Sequence, residues 1–187
     1  MSHRTQTELG IIRPSDVEPE QWANGLGATR VMAAQPAWRI SIAEIEGRMP
    51  FSFFPGVDRV LVPLSAWGVA LEIEDDHHWI CAHSAVSFRG EDRVIGQTGL
   101  RRTTVVNVMT RRSRARLDCE IRRGPGMDAE DVDAFVVLGG QVSAGAGWLP
   151  QGTVILRAAE PRTVSSETGS VALLRWCHFS KSSANQP

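Results

Sequence analysis

Apolar residues along this chain rarely recur at helical spacing. They come instead in short alternating or continuous runs bounded by Gly and Pro, which is the signature of strands. Nine runs are predicted as strands, at residues 37–45, 59–64, 67–73, 79–88, 103–109, 116–121, 134–142, 153–156 and 171–179. An open twisted sheet of that many strands tends to split or curl, so the prediction is an all-β protein built from two sheets or a closed barrel. A short helical turn is expected within residues 15–22, where Ser15 and Asp16 precede acidic residues. The sequence of strand, glycine turn, strand and Gly-bearing turn occurs in both halves of the chain. Two small antiparallel barrels follow from it, with approximate halves 20–112 and 113–180 and a polar tail at 181–187. Residues 127–133 form an acidic connector.

Composition narrows the possibilities without naming a function. With 42% hydrophobic and 22% charged residues in 187, the chain is an ordinary globular sequence, not collagen, a coiled coil or a disordered tail. A formal net charge of −1 gives no global basic field for nucleic acid or an anionic membrane, so neither is expected as a partner. Cys81, Cys119 and Cys177 lie far apart with no CxxC pair, which argues against a disulfide scaffold or structural zinc. No apolar stretch is long enough to span a bilayer, and residues 1–19 do not resemble a signal peptide, so a cytoplasmic location is expected.

Candidate chemistry begins in the run from Trp38 to Ile45. Alternation puts Trp38, Ile40, Ile42 and Glu44 on one face and Arg39, Ser41, Ala43 and Ile45 on the other. An inward Arg39 beside the Ser41 hydroxyl and a small Ala forms a socket for a carboxylate or another planar anion. Phe51, Phe53 and Phe54 cannot all be exposed cheaply, so at least one belongs to a core or pocket wall. Pro55-Gly56 signals a tight turn, and Arg59 then opens a strand. Further on, Val105, Asn107 and Met109 share a face, so the Asn107 amide sits between apolar side chains and requires a hydrogen-bond partner, protein or ligand.

Other features carry less. The glycine-rich stretch Asn24 to Arg30 follows no strand and opens no helix, and it reads as a loop crossing a barrel mouth. His77, His78 and His83 crowd one region with Asp75, Asp76 and Cys81, but Asp75 to His78 looks like a hairpin tip. Eight Arg between residues 101 and 123, against Asp118 and Glu120, read as a solvated edge that resists sheet aggregation, since no aromatic residue is there to stack bases. No GxSxG elbow, HExxH or P-loop is present, and no catalytic residue is assigned.

Several separate blocks in order give a more specific signal. Trp22-x-Asn24-Gly25-x-Gly27-x-Thr29-Arg30, then Trp38-Arg39-x-Ser41-x-Ala43, then Phe51-Ser52-x-Phe54-Pro55-Gly56-Val57-Asp58-Arg59, then Asn107-x-Met109 with Arg111, closely resemble the HutD/Ves family. The resemblance implies a cytoplasmic bacterial protein with a bicupin fold. It also implies association with histidine utilisation, in which such proteins bind a small pathway metabolite and moderate flux. Where the family usually has acidic residues, this chain has Val31 and Val105; the metal-binding cupin pattern is missing as well, so no metal and no cofactor are expected. The reading is therefore a small-ligand binder whose pocket combines Arg39, Ser41, Phe51, Phe54, Arg59, Asn107 and Met109. Its ligand would be a carboxylate such as urocanate or a formylated glutamate. The rival readings are a metal-dependent cupin enzyme using His77, His78 or His83, and a protein-interaction module using the Arg-rich edge.

Overall fold

A computed structural model of the chain describes residues 10–22, 27–125, 131–144, 147–157, 164–166 and 168–179. Their first half holds β1 (Ile11–Ile12), β2 (Glu20–Gln21), β3 (Ala28–Gln35), β4 (Trp38–Ile45), β5 (Arg48–Pro50), β6 (Val57–Pro63), β7 (Val69–Ile73), β8 (Asp76–Ile80), β9 (Val86–Arg89), β10 (Val94–Gln97) and β11 (Thr103–Arg111). Their second half holds β12 (Ala115–Arg123), β13 (Ala134–Gly139), β14 (Val142–Ala144), β15 (Gly147–Trp148), β16 (Val154–Leu156), β17 (Val164–Ser166) and β18 (Ser170–His178). The predicted helical turn is a single 3-10 turn at Pro14–Asp16, and Glu20–Gln21 is already a strand.

The strands form four antiparallel sheets. Those of the first half, β1 excepted, make a six-stranded sheet in the order β2-β3-β4-β11-β6-β9 and a four-stranded sheet β5-β10-β7-β8. The second half, joined by β1, makes a five-stranded sheet β1-β16-β13-β18-β12 and a three-stranded sheet β15-β14-β17. Three apolar layers hold them together. Ile45, Leu61, Leu71, Val94 and Val105 fill the space between the six- and four-stranded sheets. Phe135, Val137, Val142, Val164 and Leu173 do the same for the five- and three-stranded pair. Between the two larger sheets, Ile40, Ile42, Val60, Val62, Val106 and Val108 meet Val136, Leu138, Val154, Ala172 and Leu174.

This layering explains why the central strands read as nearly continuous apolar runs. Both faces of β4, β6, β11, β13 and β18 are buried, each against a different layer, and each fully buried aliphatic side chain contributes roughly 1.5–3 kcal/mol. Trp38 and Trp176 close one end of the middle seam by stacking at 4.4 Å, and the Trp176 indole donates to Thr110 Oγ1 at 3.0 Å. Elsewhere on the seam, Gln151 Nε2 donates to the carbonyls of Leu64 and Leu138, one from each half.

Several expectations need correction. The sheets are not closed barrels: β2, β5, β8 and β9 are free edges in the first half. These edge strands are two to five residues long, and from β5, β8 and β9 the chain passes to the facing sheet, so apolar faces are covered by stacking and the ladder does not close. The run 79–88 is not one strand. It breaks after Ile80, where His83 takes a φ of 56° and its amide donates to the Pro63 carbonyl at 2.9 Å, sending β8 and β9 into different sheets. His77 and His78 lie inside β8, and the hairpin tip is Glu74-Asp75, with Glu74 at φ 54°. Run 134–142 likewise divides at Gly140 into β13 and β14. Strands β1, β2, β3, β5, β10, β15 and β17 fall outside the predicted runs, and residues 28–30, expected in a mouth loop, open β3. Residues 24–26 of the glycine-rich stretch, 127–130 of the acidic connector and the tail lie outside the described residues.

Candidate functional site

The inner face of the six-stranded sheet carries a cleft. Antiparallel register fixes which side chains meet there: Met109 on β11 lies opposite Arg39 on β4 and Arg59 on β6, so one cross-strand row reads Arg39, Met109, Arg59. The next row reads Ser41, Asn107, Leu61, and the one after it Ala43, Val105, Pro63. Directly opposed residues share a face, so three strands suffice to gather these groups. Phe51, Ser52 and Phe54 come over the row from the segment between β5 and β6, and Gly56 at φ 75° turns that segment back into β6. Glu20, Trp22 and Thr29 form the wall at the sheet edge, and the Trp22 indole donates to Thr29 Oγ1 at 2.7 Å. The cleft encloses about 170 Å³, room for roughly six to eleven non-hydrogen atoms by comparison with a benzene-sized cavity.

Arg59 is the most constrained group in the site. Only 3% of it is exposed, and its guanidinium carbon stands 5.0, 5.7 and 4.9 Å from the ring centres of Phe51, Phe54 and Phe88. Its Nε donates to Asn107 Oδ1 at 3.4 Å and one terminal nitrogen to the Ser52 carbonyl at 3.3 Å. Burial, with repulsion from Arg39 added, pulls its pKa down from the ordinary guanidinium value to about 10; it remains cationic at neutral pH. Arg39 Nε is buried with no hydrogen-bond partner. Among the described residues no carboxylate pairs with either arginine, whereas other arginines do pair: Arg102 with Glu44 and Glu46, Arg112 with Asp58 and Glu91. Two unneutralised guanidinium groups facing aromatic walls make an anion site.

All seven residues singled out from the sequence line this one cleft. Sequence reasoning missed Glu20, Trp22, Thr29, Ser52 and Val105. Trp22, Thr29 and Ser52 stand within the motif blocks, and Val105 shares the Asn107 face, so those signals were present. For Glu20 the sequence holds none. Val105 is 1% exposed and packs into the core beneath the cleft, leaving an apolar patch at that position.

The histidines lie elsewhere. His77 and His78 are exposed on the edge strand β8, in the facing sheet, and His83 packs against Gly139 of the other half. Among the described residues no three His, Cys, Asp or Glu side chains come together to hold a metal. The cleft does not fit one either, since two guanidinium groups line it and no histidine does. The arginines of residues 101–123 are spread over several places: Arg101 lies 5.2 Å over the Trp67 ring, Arg122 pairs with Glu120, and β12 is a sheet edge.

Comparison with known proteins gives consistent matches. The model of the HutD family matches residues 14–172. Protein Ves of Citrobacter koseri is 36% identical over 103 residues, 51% of this chain and 54% of that protein. Protein Ves of Escherichia fergusonii is 34% identical over 98 residues, 48% and 51% of the two. The chain thus spans about half the length of the curated relatives it matches. Among solved structures, HutD from Pseudomonas fluorescens SBW25 superposes with a TM-score of 0.74 at 18% identity, over 89% of this chain and 98% of that one. A conserved protein of unknown function from Pseudomonas aeruginosa PAO1 gives 0.75 at 21%, over 91% and 98%. A cupin 2 conserved barrel domain protein from Leptotrichia buccalis gives 0.58 at 13%, over 88% and 99%. At such identities the structural matches establish the cupin-like fold alone.

Proposed function

Since the chain belongs to the HutD family, we propose that it is a binding protein for a small carboxylate, acting by occupancy and without catalysis. The observation that carries this reading is Arg59, a guanidinium 3% exposed, ringed by three phenylalanines and lacking any carboxylate partner among the described residues. Holding such a charge is unfavourable without a counter-ion, and a ligand carboxylate supplies one. Arg39, Ser41, Asn107 and Met109 complete the floor, with Phe51 and Phe54 as walls. Urocanate matches the cleft in charge and size, and N-formylglutamate, slightly larger than the cleft, would extend from its open side; both are in keeping with a role in moderating histidine utilisation in the cytoplasm. The two halves are read as a bicupin in which the first keeps a ligand cleft. The second has a mostly apolar interior of Phe135, Val137, Val171 and Leu173 at the equivalent layer, with Ser166 buried on the strand face it shares with Val164.

Isothermal titration with urocanate and N-formylglutamate tests the proposal. Saturable binding of either one, weakened at least tenfold in Arg39→Ala and in Arg59→Met, is the expected result. Full affinity in both variants would remove the cleft from the function.

A further inference from the structure

The geometry points to a ligand whose carboxylate has no ammonium beside it, so that the cleft selects acids over the α-amino acids of the same skeleton. This rests on the carboxylate reading and goes on to define the ligand class.

The inner end of the cleft is rich in donors and poor in acceptors. Asn107 Oδ1 already accepts from Arg59 Nε, the Asn107 carbonyl from Ser41 Oγ at 3.4 Å, and the Ser52 carbonyl from Arg59. What remains is the Asn107 amide N–H pair, the open N–H groups of Arg59, and the Arg39 guanidinium lining the same space, with its Nε buried and unpartnered behind it. The neutral side-chain acceptors lining the cleft are hydroxyls, Ser41 and Ser52 among them, set against two guanidinium charges. An ionised carboxylate, which only accepts, satisfies these donors. An ammonium on the adjacent carbon would be stripped of water between two like charges.

Glu20 does not rescue an amino acid. It lies on the same inner face, but its register partner is Thr29, which pairs with Ala43. Ala43 is four residues along β4 from Arg39, roughly 13 Å of backbone, so Glu20 enters the cleft from the end away from the Arg39 row, and among the described residues no ion pair joins it to either arginine. A ligand of this kind derives from an amino acid only through a reaction that removes the amine or cancels its charge by acylation.

Matched pairs that differ only in the α-ammonium provide the test: 3-phenylpropionate against L-phenylalanine, 3-(imidazol-4-yl)propionate against L-histidine, and glutarate against L-glutamate. Each is titrated calorimetrically into the wild-type chain at neutral pH. The expected result is that whichever acid binds does so at least roughly 100-fold more tightly than its amino partner. Asn107→Asp, which exchanges the leftover donor for an acceptor, is expected to weaken the acid and narrow that ratio to less than about tenfold. Equal affinity within a pair in the wild type would overturn the selectivity while leaving carboxylate binding intact. Absence of binding by every acid, with urocanate and N-formylglutamate also silent, would overturn both.

Discussion

Replacing Arg59 with methionine separates a binding role from a structural one. Methionine keeps the apolar stem and removes the charge. In the ligand-free fold, the fall of the Arg59 pKa to about 10 corresponds to a cost of roughly 3 kcal/mol for holding the cation. Opposing it are the three ring contacts at 4.9–5.7 Å, together about 1–2 kcal/mol, and two long hydrogen bonds at 3.3 and 3.4 Å, about 1 kcal/mol in all. The terms nearly cancel. Arg59→Met is therefore expected to unfold in urea within about 1 kcal/mol of wild type, with a Tm within about 4 °C, although a residue 3% exposed has been changed. Urocanate affinity, by contrast, is expected to fall by about 2–4 kcal/mol, or 30- to 1,000-fold. The pH dependence has a defined sign. The folded value lies below the unfolded one, so the unfolded chain binds the extra proton and wild-type stability gains from this group as pH rises above about 10 towards the ordinary guanidinium value. A loss of about 3 kcal/mol or more in the ligand-free variant, the cost typical of breaking a buried ion pair, would refute the reasoning and make Arg59 a strut.

Asn107→Leu deletes the amide that positions Arg59 and offers donors to the cleft, and titration should show urocanate affinity 10- to 100-fold lower. In Gly96→Ala the new Cβ would stand 2.8 Å from Phe51 Cε1 and 3.2 Å from Ile45 Cγ2. Stability should fall by about 1–3 kcal/mol, with weaker ligand binding as the Phe51 ring moves. Gln151→Ala leaves the Leu64 and Leu138 carbonyls without the amide they share; urea unfolding should show a loss of about 1–3 kcal/mol, while urocanate affinity stays unchanged. Hydrogen bonds from Arg112 and the Gly56 amide hold the Glu91 carboxyl down near 2. The stabilisation from that bridge is complete above pH 4.5 and is lost as pH falls through about 2, so Glu91→Gln should flatten the acid limb of the stability profile.

The parts of the site legible in the sequence are those fixed by alternation alone. Arg39 and Ser41, like Asn107 and Met109, are two residues apart, so any strand there places each pair on one face, and register between neighbouring strands does the rest. Arg59 was legible as the start of a strand, but its aromatic cage depends on Phe88 arriving from β9, and nothing local encodes that. Strand β3 went unread because Ala28–Gln35 mixes small and polar residues; it is held by pairing with β4 across a bulge between Val31 and Ala33 and by the burial of Met32 in the middle seam. Strand β10 is four residues with a glycine inside, where Gly96 makes room for Phe51. Barrel closure was unreadable for a similar reason. It is decided by which edges find partners, a property of distant segments that the pattern of any one strand does not contain.

The middle seam has a mechanical consequence for the cleft. The strands that present Arg39, Asn107 and Arg59 forward present Ile40, Val106, Val108 and Val60 backward, into close-packed contact with Val136, Leu138 and Leu174. Both faces of a strand move with its one backbone, so any backward motion of the floor under a ligand would drive those methyl groups into side chains with nowhere to go. The floor behaves as an anvil braced from behind, and accommodation of a guest falls to the arginine rotamers and the phenylalanine rings above it.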